Sequence, residues 1–310
     1  MTNTRIIHHN FAYHGPASLD EALKLLTGSD VSLLAGGTDL INKMKLETAH
    51  PREVVYLGRL EELKEFSDRD GLDIGAMASM TVIERSKVVQ AAYPCLYEAI
   101  HSVGGQQIRN MATLAGNIAN ASPAADGPPA LMVLGAQVEI GRHGPEGRVE
   151  MRKIAVEDIF SGPGKTILEP GEMILRILVP AESAAGRADG RIRGSAFEKN
   201  ARVKLDVAKA SAAAFLEIRD GVCELVRVAA GSVAPVPLRA KTVESALKGE
   251  EINIDSIKAA AEKISEDIRP ISDVRSTEKY RRQVMKVLVR DALLSAFERA
   301  KGGSGEKAAH

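Results

Sequence analysis

A chain of 310 residues, 45% apolar and 26% charged, is long enough for two domains with proper cores and has the composition of an ordinary soluble protein. Its 41 cationic and 41 anionic side chains cancel, which argues against a nucleic-acid binder, because neutralising phosphates needs a surplus of cations. Two cysteines, Cys95 and Cys223, are too few for a disulfide scaffold, a zinc site or a four-thiolate iron–sulfur cluster within the chain, and no apolar run approaches the roughly 20 residues that span a bilayer.

The first ten residues lack the apolar stretch of a secretory signal, so the expected location is cytoplasmic. Ser18 followed by Glu21 has the spacing of a capping box. Leu19, Ala22, Leu23, Leu25 and Leu26 then share one helical face, and Gly28 closes the helix. Val31 to Ala35 reads as a buried strand that runs into Gly36-Gly37-Thr38-Asp39 and a helix over 40–46, with a further strand over 54–57. Asp70-Gly71 turns a hairpin between 65–67 and 72–75, and 81–88 and 95–103 read as helices.

The stretch from Gly104 to Pro129 is small, polar and without period, so it reads as an irregular segment, and a long one inside a domain is more often functional than idle. Regular structure resumes over 131–140, followed by a loop tip at 143–147. Pro180 to Arg193, rich in alanine, glycine and charge, is the expected domain linker. Beyond it, Ala208, Ala210, Ala212, Ala214, Leu216 and Ile218 alternate as a strand, and Asp220-Gly221 turns it into a second strand over 222–229. Helices are expected over 239–248, 255–268 and 277–299, the last with a stripe of Tyr280, Val284, Val287, Leu288 and Leu294, and 301–310 is an expected flexible tail.

Two glycine-containing loops are the candidates for chemistry. In Ala35-Gly36-Gly37-Thr38-Asp39, the absent Cβ atoms let backbone N–H groups approach an anion at a helix start, with the Thr38 hydroxyl as a further donor; the plainer reading is a tight strand–helix turn. In Met111 to Asp126, glycine and small residues leave room for a flat ring or a diphosphate. Thr113, Asn117, Asn120 and Ser122 offer hydrogen bonds there, and Asp126 offers a carboxylate suited to sugar hydroxyls; the plainer reading is a turn whose side chains bond their own backbone. Gly162-Pro163-Gly164-Lys165-Thr166 is not a P-loop, since Ile159 stands where that motif needs glycine. There is no G-x-G-x-x-G after a strand, no nucleophile elbow, and no partner at metal-ligand spacing for His8, His9, His14 or His101.

The two loops, about 75 residues apart, together resemble the FAD-binding medium subunit of molybdenum hydroxylases such as carbon monoxide, xanthine and nicotinate dehydrogenases. Ala35-Gly36-Gly37-Thr38-Asp39-Leu40 is similar to the first flavin motif of that family. Gln107-Ile108-Arg109-Asn110 with Thr113-Leu114-Ala115-Gly116-Asn117-Ile118 is similar to the second, except that Ala115 replaces the first of two glycines. Ser122-Pro123 with Asp126 continues that loop. Phe197-Glu198-Lys199 with Asp206-Val207-Ala208, and Asp273-Val274-Arg275-Ser276 with Tyr280-Arg281-Arg282, resemble the family's C-terminal part.

The resemblance implies an α+β fold of the p-cresol methylhydroxylase/vanillyl-alcohol oxidase type over 1–180, with subdomains of about 1–58 and 59–180, and a smaller domain of a three-stranded sheet and helices over 190–300. It implies that Leu33, Leu34, Ala35, Gly36, Gly37, Thr38, Asp39 and Leu40, with Ala112, Thr113, Ala115, Gly116, Asn117, Ala119 and Asn120, hold the diphosphate and ribityl chain. On the same resemblance Asp126 bonds a cofactor hydroxyl, Ile174 and Leu175 pack near a ring, and Lys199 sits at the flavin's polar edge. It further implies partner subunits, a molybdenum-cofactor large subunit and a 2Fe-2S small subunit, with electrons passing through FAD to an acceptor such as NAD. The alternatives are a stand-alone flavoprotein oxidoreductase, a scaffold whose cofactor loops have lapsed, or a relative of the 4-hydroxybenzoyl-CoA reductase beta subunit without its extra iron–sulfur loop.

Overall fold

The structure is a computed structural model that describes residues 6–144 and 148–302; the tip of the 143–147 loop and nearly all of the expected tail lie outside them. The chain begins with β1 (Ala12–His14), α1 (Leu19–Leu25), β2 (Val31–Leu34), α2 (Leu40–Lys45) and β3 (Glu53–Tyr56), whose strands form a parallel sheet in the order β1-β3-β2. The Ser18 hydroxyl caps α1 by accepting the Glu21 amide at 3.2 Å, but the Glu21 carboxylate accepts the Ala17 amide at 2.8 Å and not that of Ser18, so only half of the expected box forms. Ala22 and Leu23 bury α1 against Val55, Leu57 and Leu60. Strand β2 is half-buried throughout, not fully buried as its apolar run suggests, because one side of it opens onto a cavity.

A second, antiparallel sheet follows, in the order β4-β5-β10-β6-β7. Its hairpin β4 (Phe66–Ser67) and β5 (Leu72–Gly75) turns at Gly71, whose φ of 77° suits glycine. The single helix expected over 81–88 is two, α3 (Met80–Arg85) and α4 (Lys87–Ala92). Ser86 between them is extended, and its hydroxyl accepts the Val89 amide at 3.1 Å to start the second. After α5 (Pro94–His101), the segment expected to be irregular instead folds into α6 (Gln106–Met111), α7 (Leu114–Ala119) and α8 (Gly127–Val133). Six or seven residues make fewer than two turns, too few to display a helical period. The sheet is completed by β6 (Gln137–His143), β7 (Val149–Ala155) and, beyond the small hairpin β8 (Phe160–Gly162) and β9 (Lys165–Thr166), by β10 (Glu172–Val179). Ile74, Ile83, Leu96, Ile100, Leu114 and Leu131 form its core.

The stretch expected to be a linker contains β11 (Gly186–Ala188), and the third sheet continues with β12 (Arg191–Asn200), β13 (Ala210–Arg219), β14 (Val222–Gly231) and β15 (Leu238–Arg239), antiparallel and in chain order. The three ten-residue strands are the expected three-stranded sheet; β11 and β15 are short additions at its edges. Asp220 and Gly221, with φ of 51° and 83°, make the tight turn between β13 and β14. Both faces of β13 are buried. Ala212, Ala214 and Leu216 join the core of this unit, while Ala213 and Phe215 belong to the core of the second sheet.

Helices α9 (Lys241–Leu247), α10 (Ile254–Glu262), α11 (Ile264–Asp267) and α12 (Glu278–Ala300) complete the chain. The buried face of α12 carries Arg281, Met285, Leu288, Val289, Ala292, Leu293 and Ala296, a face rotated from the expected stripe; Tyr280 and Val287 are each 42% exposed. Arg281 belongs to that face because it turns inward to donate to the Ser232 carbonyl and, at 2.8 Å, to Asp273. Asn253 caps α10 by accepting the Asp255 and Ser256 amides at 3.0 and 2.9 Å. Asn253→Ala is expected to lower stability by about 1 kcal/mol, read from the urea midpoint; an unmoved midpoint would mean that this cap contributes nothing. No described helix is long and apolar enough to cross a membrane.

Candidate cofactor site

A cavity of about 870 Å³ lies between the first two sheets and the end of β12. That volume is near the upper end of the roughly 300–1,000 Å³ range of small-molecule sites. Leu33, Ala35, Gly36, Gly37, Thr38, Asp39 and Leu40 line it, whereas Leu34 does not. Gly37 has φ 73°, and the N–H groups of Gly36, Gly37 and Thr38 make no hydrogen bond to the described residues, so they remain available as donors. Gly36 is where the two loops touch. A Cβ there would stand 1.7 Å from the Met111 carbonyl oxygen, so only glycine admits this backbone-to-backbone approach.

From the second loop, Ala112, Thr113, Ala115, Gly116, Asn117, Ala119 and Asn120 all reach the cavity. The Thr113 hydroxyl caps α7 by accepting the Gly116 amide at 3.0 Å, and the Ala112 carbonyl accepts the Met80 amide at 2.9 Å, which pins the loop to the start of α3. Across the gap, the Lys43 ammonium donates to the Asn120 side-chain oxygen at 2.6 Å. The small side chains between these tethers leave the space.

Asp126 lies at the inner wall. Its Oδ2 accepts from the Lys199 ammonium at 2.6 Å, and Lys199 also donates to the Ser102 carbonyl at 3.0 Å. Burial pushes the Asp126 carboxyl up to about 6, against the pull of the Lys199 charge and hydrogen bond and of the Ser102 hydroxyl. Its Oδ1 and the Oδ1 of Asn117 are buried and have no hydrogen-bond partner among the described residues. Two buried acceptors without donors in a cavity call for a ligand that brings hydroxyl or N–H groups.

Ile174 lines the cavity and Leu175 does not. The pairing of β10 with β6 skips at Leu175, which turns it onto Gly141 and into the core beside Leu23 and Val55. Other lining residues escaped the sequence reading: Ser32, Lys43, the 168–172 segment and Leu205. Lys43 was findable, since it follows Asp39 by one helical turn, whereas 168–172 carries no motif at all. The proline-containing Gly162–Thr166 segment is a hairpin turn whose Gly164 amide donates to the Ala121 carbonyl at 2.9 Å. Cys95 and Cys223 are buried, and burial raises both thiols to about 12, so both behave as small apolar side chains.

The lining of the cavity therefore offers both free backbone donors and orphaned acceptors, which fits a dinucleotide cofactor with a diphosphate and ribityl hydroxyls. Residues 9–182 match the model of the FAD-binding domain in molybdopterin dehydrogenase, and residues 195–296 match that of the CO dehydrogenase flavoprotein C-terminal domain. The glyceraldehyde dehydrogenase medium chain of Sulfolobus acidocaldarius is 34% identical over 284 residues, 91% of this chain and 96% of that one. The carbon monoxide dehydrogenase medium chain of Afipia carboxidovorans is 34% identical over 303 residues, 96% of this chain and 100% of that one. Among solved structures, carbon monoxide dehydrogenase from Hydrogenophaga pseudoflava superposes with a TM-score of 0.86 at 33% identity, covering 95% of this chain and 99% of that one. Two loops meeting at Gly36, the cavity between them and these full-length likenesses lead to one conclusion: the chain belongs to the family of FAD-binding medium subunits of molybdenum hydroxylases.

Proposed function

We propose that this chain holds one FAD in the cavity and acts as the electron-transfer flavoprotein of a larger oxidoreductase. In this reading a molybdenum-cofactor large subunit oxidises the organic substrate, a 2Fe-2S small subunit delivers the electrons, and an external acceptor such as NAD removes them. An acceptor of that kind puts the complex in the cytoplasm. The bound flavin supplies the ability to take electrons singly and release them in pairs. The observation that carries the reading is the seam between the two loops, where the missing Cβ of Gly36 brings the free amides of one loop against the second loop's small-residue wall.

The residues of the chain then have distinct tasks. The Gly36, Gly37 and Thr38 amides and the Lys43 ammonium, all in the cavity lining, would hold a diphosphate and offset its charge. Asn117 and Asp126 accept from cofactor hydroxyl or N–H groups through their unpartnered Oδ1 atoms. Ile174, Met80 and Ile108 supply apolar wall and exclude water. Lys199 brings a positive charge that favours an electron-rich ring by Coulomb attraction. No side chain is required to form a covalent bond or to act as acid or base. The proposed domains are residues 1–180, whose two subdomains, divided near 58, grip the cofactor, and a smaller C-terminal domain over 190–300.

The full-length chain, purified and supplied with FAD, is expected to become yellow and to release one equivalent of FAD per chain on heating. A chain that stays colourless and takes up no FAD would end this reading. Turnover of an organic donor by the chain alone would favour a self-sufficient flavoprotein instead.

A further inference from the structure

Arg109 is only 5% exposed and belongs to none of the surfaces that face the cavity. Its guanidinium is nevertheless spent on the wall of that cavity. Nε donates to the Glu84 carboxylate at 2.8 Å, and one Nη donates to the carbonyls of Gly104 and Val103 at 2.8 and 3.2 Å. The other Nη donates to the Gln106 side chain at 3.2 Å. Glu84 is itself buried and is held from the far side by His101 at 2.7 Å. Val103 and Gly104 both line the cavity, and the residue before them, Ser102, presents the carbonyl that fixes the Lys199 ammonium. Gly104 has φ 47°, so the turn has a demanding backbone shape that needs to be held.

We propose that the Arg109–Glu84 pair is the positioning element of the cofactor site: it clamps the 102–105 turn so that the Ser102 carbonyl aims Lys199 at Asp126. The inference rests on the FAD reading above and deepens it. A planar fork with several donors is the side chain suited to this work, because it can bond a carboxylate and two carbonyls at once. With the clamp gone, the turn relaxes, Lys199 loses one of its two fixed partners, and the Asp126 carboxylate no longer has a single orientation.

The test is a double-mutant cycle on FAD affinity, measured by flavin fluorescence on the full-length chain. One arm is Arg109→Met with Glu84→Gln; the other is Asp126→Asn with Lys199→Met. Each arm removes both charges of a buried pair, so neither leaves a lone buried ion. The first arm is expected to weaken FAD binding at least tenfold in the otherwise unchanged chain and less than threefold when the second arm is already present. Equal losses in the two backgrounds mean that Arg109 supports the fold without acting through Lys199, and they overturn the proposal. So does unchanged affinity in the first arm. Should that arm fail to fold, Arg109→Lys replaces it in the same cycle with the same criterion, since an ammonium keeps the charge but cannot reproduce the fork. Failure of the unsubstituted chain to bind FAD would instead remove the FAD reading itself, so the two failures are distinguishable.

Discussion

Gly36→Ala is expected to lower FAD affinity at least about 100-fold, equivalent to about 2.7 kcal/mol. The added methyl would meet the Met111 carbonyl oxygen at 1.7 Å and its carbon at 2.4 Å. No rotamer relieves this, because a methyl has none and the obstacle is backbone at the end of α6, itself tied down where the Ala112 amide donates to the Ile108 carbonyl at 2.7 Å. The loops have to separate, and the amides of Gly36 to Thr38 move away from the second wall. Overpacking of this kind typically costs about 1–3 kcal/mol of stability, so the variant is expected to fold with a lowered melting temperature. Gly162→Ala is the matched control, since nothing stands within 4 Å of its Cβ position. FAD retained at unchanged affinity by Gly36→Ala would show that the seam does not shape the site.

Lys199→Met is expected to lose about 3–5 kcal/mol of folding stability at pH 8, the cost of leaving one member of a buried pair behind. The loss should shrink toward pH 5. Asp126 has a folded-state pKa near 6 against 3.8 for the free side chain, so the folded chain holds this proton more tightly than the unfolded one. Its contribution to stability is therefore greatest below about 4 and declines as pH rises through 6. Without Lys199, nothing opposes the desolvation that raises this pKa except the Ser102 hydroxyl, so the folded pKa climbs further and the penalty keeps growing above pH 6. At pH 5 the carboxyl is protonated and the vacancy is tolerated. Urea unfolding at pH 5 and pH 8 measures the difference, and a loss of equal size at both values would contradict the pairing. The double change Asp126→Asn with Lys199→Met should recover most of the stability lost at pH 8, since no unpaired ion remains.

How much of this was legible before any coordinates depends on where the information sits along the chain. Helix α1, the β2–α2 junction and the β13–β14 hairpin are written locally, in caps, apolar periods and a turn dipeptide, and each was placed to within three residues. The two glycine loops were legible only as a pair, because each alone reads as an ordinary turn and it is their order that matches a known family. Helices α6 to α8 were not, since each is under two turns long and shows no period, and only α7, at Thr113, has a side-chain cap. The face of α12 was misjudged because Arg281 counts as polar in any pattern, yet it is buried by partners on β14's exit turn and at Asp273. Leu175 was misplaced by a bulge, a property of two paired strands that neither strand records alone. Glu84 acts on a residue 25 positions away, so its role exists only once the chain is folded.

The alanine run of β13 has a further consequence. Because that strand is sandwiched between two cores, the C-terminal unit is not an appendage that can swing aside while the rest stays intact. Large side chains would wedge the layers apart, so the run is held to small ones, and the packed layers couple the melting of one half to that of the other. On the proposed reading, cofactor exchange then cannot rely on the C-terminal unit swinging open, and a native chain would part with its flavin slowly until both halves give way together.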